Sequence, residues 1–296
     1  MSGETVVEFM REGGEIVTLG NGEYDKMLHL LKGSLGLGIG PTSFESSAVL
    51  GGNGSILRGK RIDERDIFVP VLIEGDTEDD VNNEREHLRR VFSPLDPRPL
   101  WVLVYVAGRD SYRAMRIHYK DGLSGNFQDN YGGTWQVVGL EFRAFDALWQ
   151  GPEAAFSRQV VTTTQHFLST TQGFLPMLVS GSTIAGRLSA FVEGDAPVAP
   201  LWKITPPGSD LSITHVQTGS VFAISGTLTE ETFINMATGQ VYSATFPNGE
   251  LWDRVSAASA PFELLPGDND FDITFTGATS ASAVSVSYRP QYLGGH

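Results

Sequence analysis

The residues Gly54-Ser-Ile-Leu-Arg-Gly59-Lys60 fit the spacing G-x-x-x-x-G-K, in which a glycine-rich loop cradles phosphates. That chemistry needs a Ser or Thr next for the metal, and Arg61 stands there. It also needs a strand before the loop and a helix after it. Val49–Asn53 reads VLGGN, and Arg61–Glu74 leads into a strand, so nucleotide binding is not expected. Asp268-Asn269-Asp270-Phe271-Asp272 imitates the start of a calcium loop. Ile273 occupies its glycine position and Thr279 its final glutamate position, so a turn leading into a strand is the better reading. The six histidines form no H-x-H, H-x-x-x-H or H-E-x-x-H pair, and no G-x-S-x-G elbow occurs. Carboxylates are abundant, but no spacing selects a glycosidase pair. No catalytic residue, metal site or cofactor is expected.

Composition narrows the classes further. The chain has 296 residues and no cysteine, which excludes disulfides, Cys zinc sites and thiol nucleophiles. A net charge of −14 argues against general binding to a nucleic-acid backbone, which needs a basic surface. No apolar run is long enough for a membrane span, and Met1 to Glu15 carries acids where a secretory signal is basic and then apolar.

The elements that must hold these residues divide in two. Residues 1–151 carry 16 Lys/Arg and 23 Asp/Glu; residues 152–296 carry only 5 and 12 and are rich in Ser, Thr, Ala and Gly. Gly151-Pro152 marks the change, so domains 1–151 and 152–296 are expected. The first reads as α+β. Its one helix, near Thr77–Phe92, has a cap at Asp76 or Thr77, acids in the first turn, and Ser93-Pro94 beyond its end. Strands are predicted at Asp66–Glu74, with Pro70 suggesting an edge or bulge, and at Leu100–Ala107, Ser111–Tyr119 and Thr134–Phe145. Gly33–Gly59 and Asp121–Gly133 read as long loops. The second domain reads as short strands from Arg187–Glu193 to Ala283–Arg289, Phe262–Leu265 among them, spaced as in a β-sandwich or jelly roll. The whole is mainly β.

Several segments together resemble one family, the siphophage distal tail (Dit) or siphovirus-type tail component proteins. In the first domain they are Gly52-Asn53-Gly54-Ser55, Gly59, Arg61 and Arg65 ahead of Ile67–Ile73, then the helix with Arg85, Leu88 and Arg89, then the Leu100–Tyr119 hairpin. Ala144-Phe145-Asp146-Ala147-Leu148-Trp149 is similar to the family's A-x-D-P-x-W ending, with Ala147 in place of proline. In the second domain they are Glu193-Gly194-Asp195-Ala196-Pro197 with Pro200, Asn235–Val241, and Phe262–Asn269 with its P-G-x-N turn. The resemblance spans about residues 5–290.

The resemblance implies a non-enzymatic structural protein of the virion tail tip, assembled in the host cytoplasm. It implies a tail-tube-like first domain that closes a hexameric ring around the DNA channel, and a galectin-like jelly-roll second domain. The implied partners are other copies of the chain, the tail tube protein, the tail-associated hub protein and the tape-measure protein, with no specific nucleic-acid binding and no membrane insertion. Gly52, Asn53, Gly54, Arg58, Arg61 and Arg65 are the candidate ring-contact loop. The alternative reading is a carbohydrate-binding module that contacts host cell-wall glycan through Trp202, Tyr242 and Trp252. Core packing competes with that reading, because large aromatics usually fill sandwich interiors.

Overall fold

The computed structural model describes residues 6–20, 27–105, 111–124, 131–159, 165–166, 178–179, 183–247 and 250–296. The chain forms two compact units, Met1–Pro152 with Gln291–His296, and Glu153–Pro290. The six C-terminal residues belonging to the first unit depart from the two consecutive segments expected. The described residues are mostly strand, with one α-helix, and no helix among them is long and apolar enough to cross a membrane.

The first unit holds β1 (Val6–Arg11), β2 (Ile16–Leu19), β3 (Leu28–Leu30), β4 (Thr42–Ala48), β5 (Ser55–Ile62), β6 (Arg65–Glu74), α1 (Glu78–Val91), β7 (Leu100–Tyr105), β8 (Tyr112–Asp121), β9 (Trp135–Ala144) and β10 (Trp149–Gln150). Its main sheet runs β2-β1-β7-β8-β9-β6-β3. A parallel bridge between Gly20 and His29 joins the two ends into a barrel-like closure. Alternate residues of β6, β7 and β9 are buried inward, which is the two-residue period of a half-solvated strand.

Pro70 sits in β6 between β9 and β3, so it is not on an outer strand. The amides of Phe68 and Glu74 point toward the β3 side, to Leu35 O and Met27 O. Pro70 has the same parity, and lies just beyond Leu30, where β3 ends. The short partner strand leaves room for a residue with no N–H to give.

Thr77 caps α1 with a capping box: Thr77 Oγ1 accepts from Asp80 N at 3.2 Å, and Thr77 N donates to Asp80 Oδ2 at 2.9 Å. Val81, Leu88 and Val91 face the barrel, and Phe92 caps the C-terminus. Phe92 meets Phe9 edge-on at 5.2 Å and Phe142 at 5.2 Å, while Phe9 and Phe142 stack at 4.9 Å. The buried Arg11 gives its guanidinium hydrogens to the carbonyls of Val91, Ser93, Asp96 and Arg98, which fixes the chain leaving the helix.

The second unit holds β11 (Ala154–Gln159), β12 (Gln165–His166), β13 (Leu178–Val179), β14 (Thr183–Val192), β15 (Leu201–Thr205), β16 (Gly208–His215), β17 (Val221–Leu228), β18 (Thr232–Asn235), β19 (Gln240–Ser243), β20 (Gly267–Thr276) and β21 (Ala283–Tyr288). Two antiparallel sheets, β11-β21-β15-β18-β19 and β14-β20-β16-β17, enclose one core that includes Trp202, Phe222, Phe271 and Phe275. This is the sandwich expected. Phe262–Leu265 is not a strand; Leu264 only bridges Val198. The calcium-loop imitation lies inside β20, where Asn269 is buried. The last strand, β22 (Gln291–Tyr292), returns to the first unit and pairs with β10, and the Arg113 guanidinium lies 4.0 Å over the Tyr292 ring.

His215 is fully buried against the rings of Phe262 and Phe271, at 5.5 and 5.3 Å, which also meet each other at 6.2 Å. Asn269 Oδ1 already accepts from Leu265 N, so His215 Nε2, 3.1 Å away, donates to it, and His215 Nδ1 accepts from Thr218 Oγ1 at 2.9 Å. Burial pushes the imidazole below its usual value, although the bond to Asn269 works against this. The unfolded chain, with an ordinary histidine near pH ~6.5, therefore binds more protons as pH falls. The stabilisation is present above that value and is lost below it. The second unit's melting temperature should fall between pH 7.5 and 5, and His215→Gln should flatten that slope while lowering the temperature at pH 7.5. An unchanged slope in the variant would remove His215 as its source.

Candidate functional site

β4 and β5 form a separate two-stranded sheet, an arm between β3 and β6. Gly33–Gly59, expected as a long loop, is thus largely hairpin. The candidate contact residues fall along it. Gly52, Asn53 and Gly54 form its exposed tip, where Gly54 has φ 93° with nothing near its α-carbon, as a tight turn needs. Lys60 lies within β5, so the phosphate-loop imitation is a turn running into a strand. Asp121–Gly133 falls partly outside the described residues.

Nearly every residue of the arm is exposed, on both faces. Phe44 is 66% exposed, Ile56 51%, Leu57 57% and Leu50, near the tip, fully so. Residues opposite each other share a face, which puts Phe44 and Leu57 together with Lys60 on one side, and Ile56 with Arg61 and Glu45 on the other. Arg58 is the extra residue at a bulge, between Leu57 opposite Ser46 and Gly59 opposite Glu45, and its Nε donates to Ser47 Oγ at 2.9 Å. Arg61 Nε donates to Asp63 Oδ1 at 2.8 Å, and Asp63 Oδ2 accepts from Ser43 Oγ. Phe44, Ile56 and Leu57 were not among the candidates read from the sequence. The signal was there: Phe44 is a lone aromatic in a run of Thr, Ser and Glu.

Arg65 does not belong with the exposed contact residues. It is 3% exposed at the root of the arm. Its Nη1 donates to Gly38 O and its Nη2 to Ala147 O, so it ties the approach to the arm to the chain leaving β9. Burial lowers its pKa from the usual guanidinium value. Gly36, with φ 81°, packs on the start of β6: a side chain there would strike the backbone of Asp66 at 2.2 Å. On the exposed face beside this root, Asp66 accepts from Arg143 at 2.7 Å and Lys120 at 2.9 Å, which hold its carboxyl down to about 2.

The three aromatics of the second unit separate. Trp202 is fully buried, edge-on to Phe271 at 5.0 Å, and offers no ring face to a ligand, which corrects its reading as a glycan platform. Its alternation with Ile204, opposite to Lys203, carried that information. Tyr242 is half-buried and stacks on Phe233 at 5.4 Å. Trp252 is 48% exposed, and its ring rests near Gly239. Among the described residues no three His, Asp or Glu side chains converge as a metal group.

Arg65→Met should cost about 2–4 kcal/mol, because two carbonyls lose a charged donor in a buried setting. It should also speed tryptic cleavage at Arg58, Lys60 and Arg61. Arg65→Lys should recover only part of the loss, since an ammonium cannot span both carbonyls as a guanidinium does. Wild-type melting and cleavage in Arg65→Met would show that the tie is not what fixes the arm.

Comparison with known proteins gives the fold a context. Residues 26–137 match the family model described as the phage tail protein RIFT-related domain, and residues 193–292 match the siphovirus-type tail component, C-terminal domain. No curated protein sequence matches. Among solved structures, the Dit (gp 19.1) protein of phage SPP1, titled a paradigm of the hub adsorption apparatus in Gram-positive infecting phages, aligns with a TM-score of 0.61 at 13% identity, over 96% of this chain and 98% of that one. A chain of the phage P2 baseplate in its activated conformation with calcium aligns at 0.51 and 7% identity, over 97% and 98%; its strontium counterpart aligns at 0.51 and 6% identity with the same coverage. These structural likenesses speak to the fold, and the two family models, one in each unit, speak to descent. The chain belongs to the siphovirus-type tail component (Dit) family and is a structural component of the phage tail.

Proposed function

We propose that six copies of this chain close a ring at the distal end of the tail, joining the tail tube to the hub or baseplate and surrounding the DNA channel. The observation that carries this reading is the arm. A lone two-stranded sheet is marginal in water, and this one leaves Phe44, Ile56 and Leu57 open to solvent in the single chain. A neighbour that covers them makes a heterologous contact, each copy's arm on the next, and such contacts close into a ring where the rotation between copies closes. The titles of the similar structures, a hub adsorption protein and a baseplate, suit a junction with the tail tube, the hub protein and the tape-measure protein. The net charge of −14 suits walls along which DNA slides without being held. The role is structural and needs no catalytic group.

The purified chain should pass from monomer to a six-fold ring as its concentration rises, measured by light scattering and by imaging. Replacing Arg58 and Arg61 by Glu should raise the half-assembly concentration about tenfold or more, an effect of ~1.4 kcal/mol. A chain that stays monomeric at all concentrations and is absent from any ring in intact virions overturns the reading.

A second reading adds glycan contact to the same protein. It is supported by the half-exposed ring of Trp252, since such rings stack on sugars. Binding to host cell-wall polysaccharide that Trp252→Ala abolishes without loss of fold supports it. Absence of wild-type binding across a glycan array removes it.

A further inference from the structure

The tip of the arm reads Gly51-Gly52-Asn53-Gly54, between the end of β4 and the start of β5. Of the chain's Asn-Gly pairs, at 21–22, 53–54 and 248–249, this one lies wholly among the described residues. Val49 N donates to Gly54 O at 3.4 Å and Gly52 N to Val49 O at 3.3 Å, which close the turn. Asn53 and Gly54 are both exposed, and among the described residues neither the Asn53 side-chain amide nor the Gly54 N–H has a hydrogen-bond partner. Gly51 at φ 74° and Gly54 at φ 93° have open space where a side chain would begin, so nothing crowds the main chain around Asn53. The other described asparagines are held. Asn269 is buried, and its Nδ2 donates to Leu265 O at 2.7 Å and Gly267 O at 2.9 Å. Asn235 Oδ1 accepts from Ala237 N at 2.9 Å and Thr238 N at 3.3 Å, and Asn82 and Asn83 lie within α1.

We propose that Asn53 is a self-modification site, where the chain deamidates through its own backbone. The Gly54 nitrogen bonds to Asn53 Cγ and the Cγ–Nδ2 bond breaks. Nδ2 leaves as ammonia, taking the proton that the Gly54 amide gives up. Water then opens the five-membered imide. Opening at Cγ leaves an aspartyl residue; opening at the main-chain carbonyl leaves an isoaspartyl residue, in which the chain runs through Cγ. Nothing is oxidised or reduced, and water is the co-reactant. The nucleophile is tethered beside its target, which removes the entropic cost of bringing the two together. Glycine gives that nitrogen no neighbouring β-carbon to block the approach. Exposure lets hydroxide take the amide proton. Either product puts a carboxylate on a hairpin whose strands hold Arg58, Lys60 and Arg61 against Glu45. The isoaspartyl product also adds one carbon to the main chain of the tip. All of this needs only a single chain, so it stands apart from the ring reading.

The full chain is held in mildly alkaline buffer at body temperature, and samples taken over time are digested with trypsin. Cleavage after Lys32 and Arg58 releases residues 33–58, in which Asn53 is the one side-chain amide, so a shift from amide to acid mass reports this site alone. Asn53 should convert at least ~10-fold faster than Asn235 or Asn269, whose hydrogen bonds must first open. Chromatography should separate two products, aspartyl and isoaspartyl. Asn53→Gln keeps an exposed amide but needs a larger ring, and should convert at least ~10-fold more slowly at this position. An Asn53 that outlasts Asn235 and Asn269 overturns the site. Conversion to the aspartyl form alone overturns the imide route. Light scattering on the same samples reads assembly separately, so a chain that forms no ring leaves this outcome to the peptide masses.

Discussion

Phe9, Phe92 and Phe142 meet in the middle of the first unit, from a barrel strand, the end of the helix and a second barrel strand. This contact lets the helix seal the barrel, and the barrel must be sealed because nothing in the arm contributes to a core. The strands that hold the arm's root, β3 and β6, bury their inward residues against the same cluster. Arg65 then carries that rigidity outward, by binding the carbonyls of Gly38, ahead of the arm, and Ala147, beyond β9. Order runs in one direction, from an apolar centre through one buried cation to a hairpin that buries almost nothing of its own.

The second unit is built on a different economy. Its core is one layer between two sheets, filled by Trp202 and several phenylalanines, and the buried His215 imidazole has both nitrogens engaged. Among the described residues its exposed aromatics are Phe191, Phe246 and Trp252, none of them more than 55% exposed. The contrast is between a half that carries an exposed two-stranded arm and a half that is a closed sandwich.

Much of this was legible in the amino-acid order, for physical reasons. Strands with one face in a core alternate in polarity, so β6, β8, β9 and most strands of the sandwich could be read directly. The helix announced itself through Thr77, its acids and Ser93-Pro94. The arm was illegible because both its faces meet solvent, which leaves no alternation to see, and serine-rich β4 has weak strand preference. Arg65 stood with Arg58 and Arg61 in the sequence, but a guanidinium aimed at two carbonyls looks no different there from one aimed at water. Trp202 and Trp252 were likewise equivalent as residue types. Only the parity of Trp202 with Ile204 distinguished core from surface, and that clue concerned one strand at a time.

The return of the chain's last residues to the first unit has a consequence for how such proteins change over time. The chain leaves the first unit after Pro152 and re-enters at Gln291, and Gln150, two residues before the exit, is the paired neighbour of Gln291. Within the second unit, Ala154 and Tyr288 near its two ends are paired neighbours as well. Both ends of the sandwich are therefore a strand's width apart, and so are the two points that receive them. In genetic terms the sandwich is a cassette. Recombination could exchange it for another domain with adjacent ends, while the barrel and its arm keep their sequence.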